Sequence, residues 1–131
     1  MATDDEADEV FGIAQLLAQH GITYSSEIAL RSAVSRGYYS VFLAAQRRSG
    51  RNDTNEIHGK VIDTCFRQLG RMRTQPLLWM RELRVAADYF KEAEPLPNTD
   101  APHDLTDWKA NWKYIELWAP IVRKNLKDWK S

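Results

Sequence analysis

A chain of 131 residues with 44% hydrophobic and 27% charged residues has the profile of one globular domain, not of a disordered tract. No stretch approaches the ~18 consecutive apolar residues of a membrane span, and the acidic start from Met1 to Val10 lacks the basic region of a secretory signal. The single cysteine, Cys65, excludes an internal disulfide and falls in an apolar helical pattern, so a core thiol in a reducing cytoplasm is expected.

The net charge of zero hides an uneven distribution. Residues 1–30 hold six acids and no Lys or Arg, whereas residues 31–84 hold eleven basic groups against four acids. Residues 85–104 are acidic again and 105–131 are mildly basic. A basic middle section suits a phosphate-bearing partner. Solvated helix faces with i,i+4 pairing account for the same charges.

Only 6 Gly and 5 Pro punctuate the chain, so long regular elements are expected, and the periodicity is helical throughout. The first helix is expected over Asp5 to Gln19, on a stripe of Val10, Ala14 and Leu17 with Phe11 and Leu16 beside it. Gly21 serves as its stop. The second runs from about Ser26 to Arg48, capped by Ser25 or Ser26. It carries Ile28 or Leu30, then Val34, Tyr38, Val41 and Ala45 on one side. Gly50 and the run Asn52-Asp53-Thr54-Asn55 break the chain. Asp53 followed by Glu56 then resembles a capping box opening a third helix near Thr54, with Ile57, Val61, Cys65 and Leu69 buried and Gly70 at its end.

A fourth helix is expected from near Pro76, with Leu77, Met80, Leu83, Ala87 and Phe90 on its apolar side. Residues 94–105 read as an extended connection because of their prolines. The last helix, 106–131, shows a seam of Leu105, Trp108, Trp112, Ile115, Ala119, Val122, Leu126 and Trp129, kinked at Pro120. That seam either closes the bundle, extends into a dimer contact, or lies on a membrane surface. The whole is an all-α, four- to five-helix up-and-down bundle in one domain, its core over about 5–93.

Chemistry concentrates in three segments. Arg36 and Tyr39 lie one turn apart in Ser35-Arg36-Gly37-Tyr38-Tyr39, and Tyr38 shares the face of Val34 and Val41. A buried Tyr needs a hydrogen-bond partner and a half-buried Arg needs an anion or carbonyls. Arg84 and Asp88 are i,i+4 neighbours, and Asp88 is also placed to reach Arg36. His58 opens the third helix, either capping it or bonding Tyr39 or Asp88, or acting in catalysis. Arg36 with Asp88 makes either a structural ion pair or a phosphate clamp. The three histidines are far apart in sequence, so no metal site is suggested and no cofactor is expected.

Together these segments resemble a HEPN family, which shows Ser-Arg-x-Tyr-Tyr, then a His, then Arg-x-x-Ala-Asp-Tyr. Here the matching residues are Ser35 to Tyr39, His58 and Arg84 to Tyr89, within about residues 10–93. The resemblance implies a helical bundle, a homodimer with a cleft between protomers, and a place in a prokaryotic toxin–antitoxin or anti-phage defence system. Active members are metal-independent RNA endonucleases with an Arg followed by a His after four to six residues. Arg51 and His58 match, with six residues between them. His58 would then be the acid or base and Arg51 would stabilise charge on the phosphate. Non-catalytic relatives bind a nucleotide, RNA or a nucleotidyltransferase antitoxin, which implies a binding role for Arg36, Tyr38, Tyr39, Arg84, Asp88 and Tyr89. Tyr89 is otherwise a packing aromatic or a target for adenylylation. A third reading is a structural adaptor docking through the Trp-rich last helix.

Overall fold

A computed structural model of the chain describes residues 4–50, 56–89 and 107–129 as five α-helices, with no strand among the described residues. They are α1 (Asp4–Tyr24), α2 (Glu27–Ser49), α3 (Ile57–Leu69), α4 (Arg71–Tyr89) and α5 (Trp108–Lys127). The expected connection over 94–105, together with Arg51, Asp53, Thr54, Phe90 and Leu105, lies outside the described residues. No described helix is long and apolar enough to cross a membrane.

α1 runs straight through Gly21 and stops only where Ser25 takes a left-handed conformation (φ 52°). Gly21 is therefore not a stop. A Cβ on it would lie 2.7 Å from Leu30 Cγ and 3.0 Å from the Leu30 backbone nitrogen, so α1 and α2 approach closely at this position. The same close packing uses Ala7, Ala14 and Ala18, all fully buried, while Leu16, expected beside the stripe, is 68% exposed. Ser26 then caps α2 by accepting a hydrogen bond from the Ala29 amide at 3.2 Å.

α2 is the centre of the bundle and packs against each of the other four helices. Buried residues accordingly surround most of it, from Leu30 and Val34 to Tyr38, Val41 and Ala45. It ends on Gly50 at φ 67°, whose amide donates to the Gln46 and Arg47 carbonyls. α3 opens at Ile57. Glu56 stands before its first residue at φ 55° and makes no side-chain cap, so it does not fill the third helical position that a capping box requires. Val61, Ile62 and Cys65 are buried, with Ile57 and Leu69 packed at the margin.

Gly70 alone separates α3 from α4, which starts at Arg71, five residues before the expected position. Pro76 sits inside the helix, where it removes only the amide bond to the carbonyl of residue 72. α4 buries Leu77, Met80, Leu83 and Ala87 as the periodicity predicts. Its C-terminal carbonyls are capped from α2: Arg31 Nε donates to Ala87 O at 2.8 Å and Arg31 Nη2 to Ala86 O at 3.5 Å. The same guanidinium lies over the Trp108 ring, 5.1 Å from its centroid.

α5, capped by Asp107, is continuous through Pro120. Its seam closes the bundle. Trp108, Trp112, Trp118, Leu126 and Trp129 are all at most 7% exposed within the single chain. The tryptophans expected to form a dimer contact, or to dock an adaptor, are thus already covered by this chain's own core.

Candidate functional site

The polar cluster of the bundle forms where one face of α2 meets the start of α3 and the C-terminal half of α4. Residues at i, i+3, i+4 and i+7 share a helix face, so Ser35, Tyr38, Tyr39 and Phe42 project together from α2. Arg81, Arg84 and Asp88, at i, i+3 and i+7, form the matching line on α4. His58 enters from the first turn of α3.

Tyr38 is fully buried, and its hydroxyl lies 2.7 Å from His58 Nδ1. The half-buried imidazole stacks on Phe42, with centroids 4.2 Å apart and planes at 23°, and meets the Tyr39 ring edge-on at 5.9 Å. Arg84 Nη2 donates to the Tyr39 hydroxyl at 3.3 Å. Arg84 Nε lies 2.9 Å from Asp88 Oδ2, and that oxygen also accepts from Ser35 Oγ at 3.3 Å. Asp88 thus holds the guanidinium, and the guanidinium holds Tyr39.

Electrostatics keep both Tyr38 and His58 neutral. Burial pushes the Tyr38 phenol well above its ordinary range, only partly opposed by Arg81 and Arg84, so the phenol stays protonated. Burial, then Arg84 and Arg81, lowers His58 below its ordinary 6.5, so the imidazole is neutral at pH 7. The 2.7 Å contact fits two neutral arrangements: the phenol donating to Nδ1 with the imidazole proton on Nε2, or an Nδ1–H donating to the phenol oxygen. The imidazole lies within the field of two guanidinium groups, Arg84 and Arg81.

Next to this cluster is an open concavity of about 380 Å³ lined by Glu56, Gly59, Lys60, Asp63 and Arg81. Arg81 Nε is buried there with no hydrogen-bond partner among the described residues, whereas Asp63 is paired with Arg67. A second concavity, about 270 Å³ between α1 and α5, is floored by Phe11, Ala119 and Pro120 and contains none of the cluster residues. Among the described residues no group of three or more His, Cys, Asp or Glu could hold a metal ion.

Of the residues singled out in the sequence, Tyr38, Tyr39, His58, Arg84 and Asp88 come together. Arg36 does not: it is exposed and makes neither the ion pair nor the clamp expected with Asp88. One residue beyond Ser35, it is turned about 100° away from the face that meets α4. Arg51 lies outside the described residues, as does the side chain of Tyr89, the last residue of α4. Arg81 and Phe42 were not anticipated, and Ser35 only as the opening residue of the Ser-Arg-x-Tyr-Tyr motif. Their signal was present in the helical spacing, Arg81 three residues before Arg84 and Phe42 four after Tyr38. Compared with family models, curated proteins and solved structures, the chain matches none.

Proposed function

We propose that this protein is a HEPN-type helical module that binds a phosphate-bearing ligand, RNA or a free nucleotide, at the junction of α2, α3 and α4 without cleaving it. The observation that carries the reading is the 2.7 Å contact of the Tyr38 hydroxyl with His58 Nδ1. In this reading the Tyr38 phenol donates to Nδ1 and Nε2 carries the hydrogen, so neither nitrogen is left empty to receive a proton as a general base must. What remains is a donor array of His58 Nε2–H, Arg81 and Arg84, suited to phosphate oxygens. The carboxylate of Glu56 on the rim of the concavity suits a ligand that also brings hydroxyl or amino donors, as a nucleotide does.

On the resemblance of its motifs alone, the reading extends to a prokaryotic toxin–antitoxin or anti-phage defence system, with a nucleotidyltransferase as the partner and a homodimer as the working form. Titration with a single-stranded RNA oligonucleotide, with a ribonucleotide and with inorganic phosphate tests the binding. Arg84→Gln and Arg81→Gln are expected to weaken the RNA or nucleotide complex at least about 10-fold, a loss of about 1.4 kcal/mol, and Arg36→Gln to leave it unchanged. Lack of binding by the wild type at millimolar ligand sinks the proposal. Cleavage of the RNA by the wild type but not by His58→Ala replaces it with the ribonuclease reading, in which His58 acts with Arg51.

A further inference from the structure

α1 is apolar on two sides. Ala7, Phe11, Ala14, Ala18 and Gly21 face the bundle, and Phe11 stacks on Trp112 of α5 at 6.2 Å. On the other side Glu9, Ile13, Leu16, His20 and Tyr24 follow one another at steps of four, three, four and four residues, which keeps them on one stripe. This stripe is open to solvent, with Ile13 44%, Leu16 68% and Tyr24 71% exposed, and the His20 ring rests on Tyr24 at 4.7 Å. It also has a direction. Asp5, Glu6 and Glu9 stand at its N-terminal end, Asp8 being paired with Arg123 of α5, and the helix has no Lys or Arg.

We propose that this stripe is where two copies of the chain meet, α1 lying antiparallel against α1 of the second copy. A two-fold axis passing between residues 14 and 15 sets Ile13 against Leu16 of the second copy, and Leu16 against its Ile13. The same operation brings Glu9 opposite His20 of the second copy and directs Tyr24 toward its Asp5 carboxylate. One patch is thereby self-complementary, as an isologous contact requires. A parallel pairing would bring both sets of carboxylates together. The antiparallel one separates them by most of a 21-residue helix, about 25–30 Å, well beyond the screening length at physiological salt. The apolar centre is small, two residues from each copy, so the association is weak and depends on concentration. It uses no residue of the α2–α4 cluster, and it rests on the functional reading above only in giving the homodimer named there a surface.

Sedimentation of the full chain from micromolar to millimolar concentration reads the contact. The dimer fraction is expected to rise across this range. Leu16→Asp raises the dissociation constant at least about 10-fold without changing the helical circular dichroism, because Leu16 contributes nothing to the core. Glu9→Lys weakens the dimer, and Glu9→Lys combined with His20→Glu restores it. A wild type that stays monomeric, a dimer indifferent to Leu16→Asp, or a double variant no better than Glu9→Lys alone overturns the proposal.

Discussion

Tyr38→Phe removes one oxygen from a fully buried ring and leaves the rest of the ring in place. The contacts with Phe42 at 5.8 Å and His58 at 5.7 Å survive, because both are made by the ring. What is lost is the 2.7 Å hydrogen bond to His58 Nδ1. A neutral hydrogen bond contributes about 1 kcal/mol net, and an orphaned buried acceptor adds ~1–3 kcal/mol. His58 is only half-buried, so water recovers part of that second cost and the low end applies. The expected loss is about 1–2 kcal/mol, or roughly 3–10 °C in melting temperature for a domain of this size. The assay pairs thermal unfolding with nitrogen NMR of the imidazole. The wild type should hold its proton on Nε2, and Tyr38→Phe should release His58 into a mixture of tautomers. A wild-type imidazole protonated at Nδ1 refutes the reasoning, because His58 would then be the donor and its other nitrogen a free base.

Two further outcomes follow from the same packing. Gly37→Ala should destabilise although alanine favours a helix interior over glycine by about 1 kcal/mol, because the added Cβ falls 2.4 Å from Ile115 Cγ2 in the core. Overpacking costs ~1–3 kcal/mol, and Ile115→Leu, which deletes that methyl at similar volume, should make the alanine neutral or stabilising. Equal effects of Gly37→Ala in both backgrounds count against the clash. For pH, the folded chain holds His58 below the 6.5 of the unfolded one, so unfolding takes up protons in acid. Its contribution to stability is whole above the unfolded value and is lost as pH falls through the folded one. Melting temperature should therefore drop from pH 7.5 to pH 5 more steeply in the wild type than in His58→Gln, and parallel slopes dismiss the argument.

Most of the helical architecture could be read along the chain because helix-forming stripes are local. The spacing of Val34, Tyr38 and Val41, or of Leu77, Met80 and Leu83, depends only on 3.6 residues per turn. The polar cluster was partly legible for the same reason: Arg84 and Asp88 are neighbours on one helix, and their ion pair needs no other element. Where local signals have two meanings, neighbours chose. Gly21 and Pro76 both read as boundaries, yet one is a point of close helix approach and the other a tolerated interior residue.

Which side of α2 meets α4 was a matter for the tertiary structure alone. The sequence pairs Arg36 with Asp88 of α4 and does not single out Arg31. The rotation of α2 about its axis, set by Gly37 against Ile115 and by Gly21 against Leu30, sends Arg31 to the α4 carbonyls and Arg36 to solvent. Burial of the tryptophans of α5 was decided likewise, since a seam of apolar residues records that it will be covered but not by which surface. Composition and period determine that this chain is a bundle of amphipathic helices. The hand-to-hand fit of side chains between them, a non-local and close-packed condition, determines which polar groups end as neighbours.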